Sequence, residues 1–425
     1  MSLPQSTEPS PHSSDGTESG SGSLQRAFRS LGGRNYRLYW IGQSISLIGT
    51  WMQATAQGWL ILQLTDSAFY LGLVSALGTL PVLLLSLFGG AVADRIPKRK
   101  LLFVTQTVLA LQAVTLGILA WTGVVQVWHV IVLAFLLGTM NAFDTPTRQS
   151  FIIELVGKNQ LLNAIGLNSI SFNLARILGP AIAGILIAWT GVAGCFLING
   201  FSYCATILAL LLMRIPSRLP APSQANLLDS VRQGIRYVWR EPDIRSLLLI
   251  VMTTSIFAVS YLPLLPLFAR DILQTGAAGY GGLMSAVGIG ALVGAFSIAM
   301  QGSSRKKGFF VFLGNLLFSL ALIGLSLSRW YWLSLLLLPI AGWAMVTQNV
   351  TVNTLLQTAA PDHLRGRVMS FYTITFMGMT PFGNFLAGSM AQLLGAPLAV
   401  MIGAFLNGLI VAAIGWRRPG LRRLA

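Results

Sequence analysis

The runs 68–92 and 101–121 are apolar almost throughout, and each supplies the roughly 20 apolar residues that cross the hydrocarbon core of a bilayer. Between them stand Asp94, Arg95, Lys98, Arg99 and Lys100, so this charge cluster has to lie at a membrane surface. Lys and Arg collect in cytoplasmic loops, which makes that surface the cytoplasmic one. The same alternation continues along the chain and predicts about twelve spans, at 36–64, 68–92, 101–121, 127–144, 161–189, 192–213, 244–268, 280–300, 309–327, 331–356, 368–394 and 396–416. The expected fold is an all-α polytopic membrane protein.

Composition agrees. Of 425 residues, 54% are hydrophobic and only 9% charged, with a mean hydropathy of +0.70, and a large soluble fold could not cover itself with so few charges. A net charge of +16 would suggest nucleic acid in a soluble chain, but here the cations lie between apolar runs and act as topological anchors, so nucleic acid is not an expected partner. Cys195 and Cys204 share one apolar run without a CxxC pair or a nearby His cluster, which argues against both a disulfide and a metal site. His12, His129 and His363 fall on a tail, an outer turn and an inner turn. With no P-loop string present either, neither enzymatic activity nor a cofactor is expected.

Residues 1–23 are rich in Ser, Gly and Pro without an apolar core, so 1–30 reads as a disordered cytoplasmic tail and not a signal peptide. With both termini inside, the cytoplasmic segments gather the cations at 26–37, 95–100, 148–158, 214–245, 305–307, 365–367 and 417–423, leaving only Arg270 and Arg329 outside. The hydrophilic stretch 214–243 divides the chain into six-span halves, 31–213 and 244–416, and 417–425 is a basic cytoplasmic tail. Within 214–243, Leu227, Leu228, Val231, Ile235 and Val238 recur at helical spacing and predict an amphipathic helix on the inner membrane surface. The halves look duplicated. YLGLVSALG opens the second span at 70–78 and YGGLMSAVG the eighth at 280–288, an internal repeat of the kind found in secondary transporters.

Residues 90–99 read GAVADRIPKR, and this resembles the signature G-x-L-A-D-R-x-G-R-K/R between the second and third spans of the major facilitator superfamily. The match rests on Gly90, Asp94, Arg95, Lys98 and Arg99, with Val92, Pro97 and Lys98 as mild departures. The resemblance implies that Asp94 caps the eleventh helix near 369–373 and that Lys98 pairs with Asp144, locking an outward-facing state. Gly166, Ala175, Gly179, Pro180, Ala183 and Gly184 are similarly spaced to the antiporter motif G-x8-G-x3-G-P-x2-G-G of the same superfamily. Small residues let helices approach closely and Pro180 removes one backbone hydrogen bond. The strings SLIGTWMQ (46–53), NSISFNLARILGP (168–180), LLPLFARD (264–271) and NTLLQTAAPDHLRGRVMS (353–370) narrow the resemblance to the exporters that include the enterobactin exporter and the macrolide-efflux proteins.

That resemblance implies a monomeric inner-membrane exporter of a small amphipathic organic molecule, working by rocking two halves about a central site. Uptake or facilitated passage of a small polar solute is the alternative in the same class; an intramembrane enzyme or a non-transporting sensor is the alternative outside it. Inside the spans, Arg176 is the one deep cation, either functional, paired with Asp144 or snorkelled to backbone carbonyls. Asn168 and Asn173 lie on nearby turns, and Gln53, Trp343, Asn349, Tyr372 and Asn384 complete the candidate cavity set. The first span holds no acid, so if protons are the coupling ion the carrier would be Asp144, whose other reading is membership of the gating charge network.

Overall fold

The computed structural model describes residues 29–214, 236–301 and 307–424. After a short 3-10 turn at Arg29–Gly32, twelve helical spans follow: α1 (Arg34–Thr65), α2 (Ala68–Ala93), α3 (Lys98–Trp121), α4 (127–156), α5 (158–190), α6 (192–212), α7 (Pro242–Ile272), α8 (Gly276–Gln301), α9 (Lys307–Leu327), α10 (Tyr331–Ala359), α11 (Asp362–Met377 and Thr380–Leu394) and α12 (Ala396–Arg417). In hydrocarbon every backbone N–H and C=O must be satisfied within the segment, so long apolar runs have no regular alternative to the helix.

Several boundaries differ from the sequence pattern. The fourth span does not stop at Asp144: the helix runs about three further turns, to 156, because Asp144 and Arg148 neutralise each other four residues apart. No loop separates α4 from α5 or α5 from α6. Gly157 (φ 69°) and Gly191 (φ 71°) alone reverse the chain, a conformation that glycine reaches without a steric penalty. Two spans are atypical: α1 falls short of span-like hydropathy, and α11 is broken at Gly378–Met379 into pieces of 16 and 15 residues. Of the linker 214–243, only its end is described, and Val238 there packs in a short helix against the second half; Leu227, Leu228, Val231 and Ile235 lie outside the described residues. The basic C-terminal stretch folds back, its Pro419–Arg423 turn lying on the start of α9, with the Gly308 N–H donating to the Leu424 carbonyl at 3.0 Å.

The two halves repeat one another down to their buried polar groups. In the first, Gln53 (α1) donates to Gln112 (α3) at 3.0 Å and accepts from Asn199 (α6) at 2.6 Å, while Gln112 donates to the Leu133 carbonyl (α4) at 3.2 Å. In the second, Gln348 (α10) donates to Thr254 (α7) at 2.8 Å and accepts from Asn315 (α9) at 3.3 Å, while Thr254 donates to Asn407 (α12) at 3.2 Å. Helices one, three, four and six of each half are thus tied by amide side chains. Buried polar groups remain tolerable only when partnered, so each cluster fixes the register of its own half.

Removing one partner strands the others in apolar surroundings. Asn199→Leu and Gln348→Leu are each expected to destabilise the detergent-solubilised protein by about 1–3 kcal/mol, seen as a lowered thermal unfolding midpoint. A surface change such as Thr107→Ala, on the exposed side of α3, is expected to leave that midpoint within about 0.5 kcal/mol.

Candidate functional site

The helices begin and end on two faces, and α1 starts and α12 finishes on the same one, here the terminal face. Towards the opposite face a single apolar core takes side chains from both halves, from Met52 and Leu71 to Phe268, Leu283 and Ala391. Towards the terminal face that core divides. One cluster around Tyr36, Leu102, Phe151 and Leu167 belongs to the first half, and another around Ile250, Val311, Leu355 and Val411 to the second.

The seam at the opposite face is made of small residues. Gly72 of α2 lies on Gly388 of α11, and Gly184 of α5 on Gly281 of α8, where an added Cβ at Gly281 would sit 2.9 Å from the Gly184 Cα. Deeper along α5, the Ser285 hydroxyl donates to the Ile177 carbonyl at 2.8 Å, and Gly288 leaves no room for a Cβ beside the Arg176 carbonyl. At the rim, Arg270 of α7 bridges to Asp66 at the end of α1 and to its neighbour Asp271, and Gln392 accepts hydrogen bonds from the Ser67 hydroxyl and the Phe69 N–H. Closer to the terminal face the halves part, and Phe88 of α2 is 66% exposed.

Beneath this seam lies a central cavity of about 350 Å³ walled by α1, α2, α4, α7, α8 and α11. Its apolar lining includes Trp51, Ile61, Leu71, Leu262 and Met284, and Trp59 stacks on Tyr280 above it with ring centroids 6.1 Å apart. Gln57, Asn141 and Asn384 enter the same space with side-chain amides that have no hydrogen-bond partner among the described residues. A largely apolar pocket with a few free amides suits an amphipathic organic molecule. The α7 wall is irregular: a π turn (Thr254–Ala258) passes into a 3-10 stretch (Val259–Leu264), because Pro263 and Pro266 supply no N–H for the α-helical ladder.

The candidate residues fall into separate places. Gln53 and Asn384 border the cavity, although Gln53 is fully occupied by its amide network. Asn168 and Asn173 lie on the part of α5 nearer the terminal face, half-buried, with the Asn173 amide on the Ser169 carbonyl. Trp343 donates to Ser297 of α8 at 3.1 Å, and Tyr372 donates to the Asn349 carbonyl at 3.3 Å, stacked on Phe376; these belong to helix seams and not to the cavity wall. Of the antiporter-like set, Gly179 packs on Trp51 and Met52 of α1, Ala175 is fully buried, Gly184 and Pro180 meet α8, and Gly166 faces open space.

The charge motif departs from expectation. Lys98 pairs with Glu154 at 3.2 Å and not with Asp144. Asp144 lies level with Thr105 and Gln106 of α3, which donate to it at 2.8 and 2.9 Å, and seven residues of helix place Lys98 about 10 Å nearer the terminal face. Arg148 is the cation that neutralises Asp144, so Arg176 does not. Asp94 is exposed at the end of α2, where Gly90 receives its N–H, and no hydrogen bond joins it to 369–373, because α2 and α11 have separated by that level. Arg95 is exposed, and Arg99 donates to the Leu210 and Leu211 carbonyls at the end of α6. Among the described residues no group of His, Cys, Asp and Glu is placed to hold a metal ion, and Cys195 and Cys204 are free thiols. The sequence pattern passed over Gln57 and Asn141, whose signal was simply an amide within an apolar span.

Comparison with known proteins agrees with this architecture. The multidrug efflux pump Tap of Mycolicibacterium fortuitum is 28% identical over 88% of this chain and 93% of its own length, and the enterobactin exporter EntS of Shigella flexneri is 25% identical over 89% and 90%. A bacterial homologue of the human lysosomal transporter Spinster, solved in an inward-facing unoccupied conformation, superposes with a TM-score of 0.68 at 14% identity, covering 93% of this chain and 97% of that one, and so shares the fold. The transmembrane secretion effector family matches residues 26–423, nearly the whole chain, and the protein belongs to it, as a transporter of the major facilitator superfamily.

Proposed function

We propose that this transporter exports an amphipathic organic molecule, of the drug or siderophore kind handled by its relatives, across the inner membrane from the side of its termini. One observation carries the reading. A single core joins the halves at the opposite face while two independent cores hold them at the terminal face, which is the shape of one alternating-access state with its path open towards the termini. The sidedness rests on the positive-inside rule: the cation clusters at 95–100 and 417–423 lie on the terminal face, and Arg270 and Arg329 on the other. Cargo would enter from the cytoplasm, settle among Gln57, Asn141 and Asn384, and leave once the glycine seam and the Arg270 bridge part.

Asp144 fits a structural role better than proton carriage. It is the one buried carboxylate among the described residues, and Arg148, Thr105 and Gln106 already engage it. Asp144→Asn leaves Arg148 without a counter-charge and is expected to cost about 3 kcal/mol of stability, whereas Asp144→Asn with Arg148→Gln recovers most of that loss in thermal unfolding. The two readings part on transport: with a structural Asp144 the stable double variant still transports, whereas with a proton-carrying Asp144 it is stable but no longer responds to a pH gradient.

In cells stripped of their own efflux pumps, the wild-type protein is expected to lower accumulation of an amphipathic dye, and Gly281→Leu to abolish that effect at equal membrane expression by wedging α5 from α8. Accumulation equal to that of empty cells across a panel of dyes and siderophores would remove the export reading. Arg270→Ala frees the outer rim. A cysteine placed at Ile61, in a Cys195→Ala, Cys204→Ser background, is then expected to react several-fold faster with an impermeant maleimide added from outside.

A further inference from the structure

Three arginines at the helix ends and seams of this protein have evident partners. Arg148 meets Asp144, Arg270 meets Asp66 and Asp271, and Arg99 donates to the carbonyls of Leu210 and Leu211 at 2.7 and 3.2 Å. Arg176 is different. It lies midway along α5, half-buried, and makes no ion pair or hydrogen bond among the described residues. Its backbone carbonyl is pressed against Gly288 of α8, while its guanidinium turns to α1 and lies over the Trp51 ring, 5.8 Å from the centroid. Trp51 walls the central cavity and packs edge-on against Phe172 at 5.6 Å.

A second unpartnered group lies on α7. Tyr261 is 2% exposed, its ring packs edge-on against Phe318 with centroids 6.1 Å apart, its hydroxyl has no hydrogen-bond partner among the described residues, and it lies within electrostatic range of the Arg176 guanidinium. It belongs to the 3-10 stretch whose Val259, Leu262 and Pro263 line the cavity. An uncompensated cation inside the membrane is costly, as is a buried hydroxyl left without an acceptor. A structural arginine would be expected to have found a carboxylate or a set of carbonyls, as the three above have. The two deficits share one remedy, an oxyanion that accepts from both the guanidinium and the phenol.

We propose that Arg176 and Tyr261 form an anion subsite beside the central cavity, taking the carboxylate or ionised phenol of an amphipathic organic acid whose apolar rings lie against Trp51 and Phe172. The cargo is then an organic anion and not a lipophilic cation. This deepens the export reading and rests on it for the word cargo, while the subsite itself is testable by binding alone.

The test uses the full chain in lipid nanodiscs and two xanthene dyes of similar ring system and opposite charge, fluorescein and rhodamine 123, followed by fluorescence anisotropy. The wild-type protein is expected to bind fluorescein about tenfold or more tightly than rhodamine 123. Arg176→Gln should abolish that preference, Arg176→Lys should keep most of it, and Tyr261→Phe should weaken fluorescein binding a few-fold without inverting the order. Without any dye, Arg176→Met should raise the thermal unfolding midpoint, since it removes a charge that has no counter-ion; an arginine with a purely structural role would lower it. Equal or stronger binding of rhodamine 123, no binding of fluorescein, an undiminished preference in Arg176→Gln, or a lowered midpoint in Arg176→Met overturns the proposal. Driven movement of fluorescein in proteoliposomes reads export separately: its absence with the binding preference intact removes the export reading and leaves the subsite standing.

Discussion

The arrangement depends on how closely four helices approach across the seam between the halves. Gly72 against Gly388 and Gly184 against Gly281 allow backbone to lie on backbone, so dispersion contacts accumulate over a long stretch of helix with little side-chain entropy lost. In lipid, where burying apolar surface against apolar surface yields little, that close approach is the main source of attraction left. It explains why a reversible contact is built of glycine and alanine. Large interdigitating side chains would have to be withdrawn from one another each time the seam opened, whereas smooth surfaces part without repacking.

Rigidity inside each half is the complement of that mobility. The amide clusters centred on Gln53 and on Gln348 connect helices one, three, four and six of their own halves and do not cross between them. Movement is thereby directed to the seam. The halves differ where charge is concerned: Asp144 and Arg148 of α4 have no ionised counterparts in α10, where Gln348 and Val352 stand six and ten residues beyond Gly342, as Asp144 and Arg148 stand beyond Gly138. The buried ion pair of α4 accordingly has no echo in α10.

Much of this was legible in the chain. Twelve spans, two halves and the internal repeat follow from the spacing of apolar runs, because a bilayer of fixed thickness imposes a length on every crossing. Pairings were less legible. Lys98 and Asp144 look adjacent in a motif-based reading, yet a difference in depth of about 10 Å gives Lys98 to Glu154 and Asp144 to Arg148. Side-chain direction within a span was less legible for a similar reason. Sequence identifies a polar or aromatic side chain inside a span but not the direction in which it points: Asn349 and Trp343 lie at helix seams, Gln53 borders the cavity with its amide engaged by Gln112 and Asn199, and Gln57 and Asn141 reach into it. The break in α7 was marked by Pro263 and Pro266, and its effect on which side chains face inward required the backbone path.

The modest hydropathy of α1 bears on how the protein is made. This helix is synthesised before the rest of its half, and its Gln43, Gln53 and Gln57 give it a polar stripe that a lone span would expose to lipid. The partners that engage Gln53 come much later: Gln112 on α3 and Asn199 on α6 close its network only after some 140 further residues have been synthesised. Until then α1 is a span without its shelter, and it must be retained at the insertion machinery or held by α2 and α3 while the remainder of its half arrives. The polarity that gives the cavity its wall is therefore borne first as a burden on biogenesis.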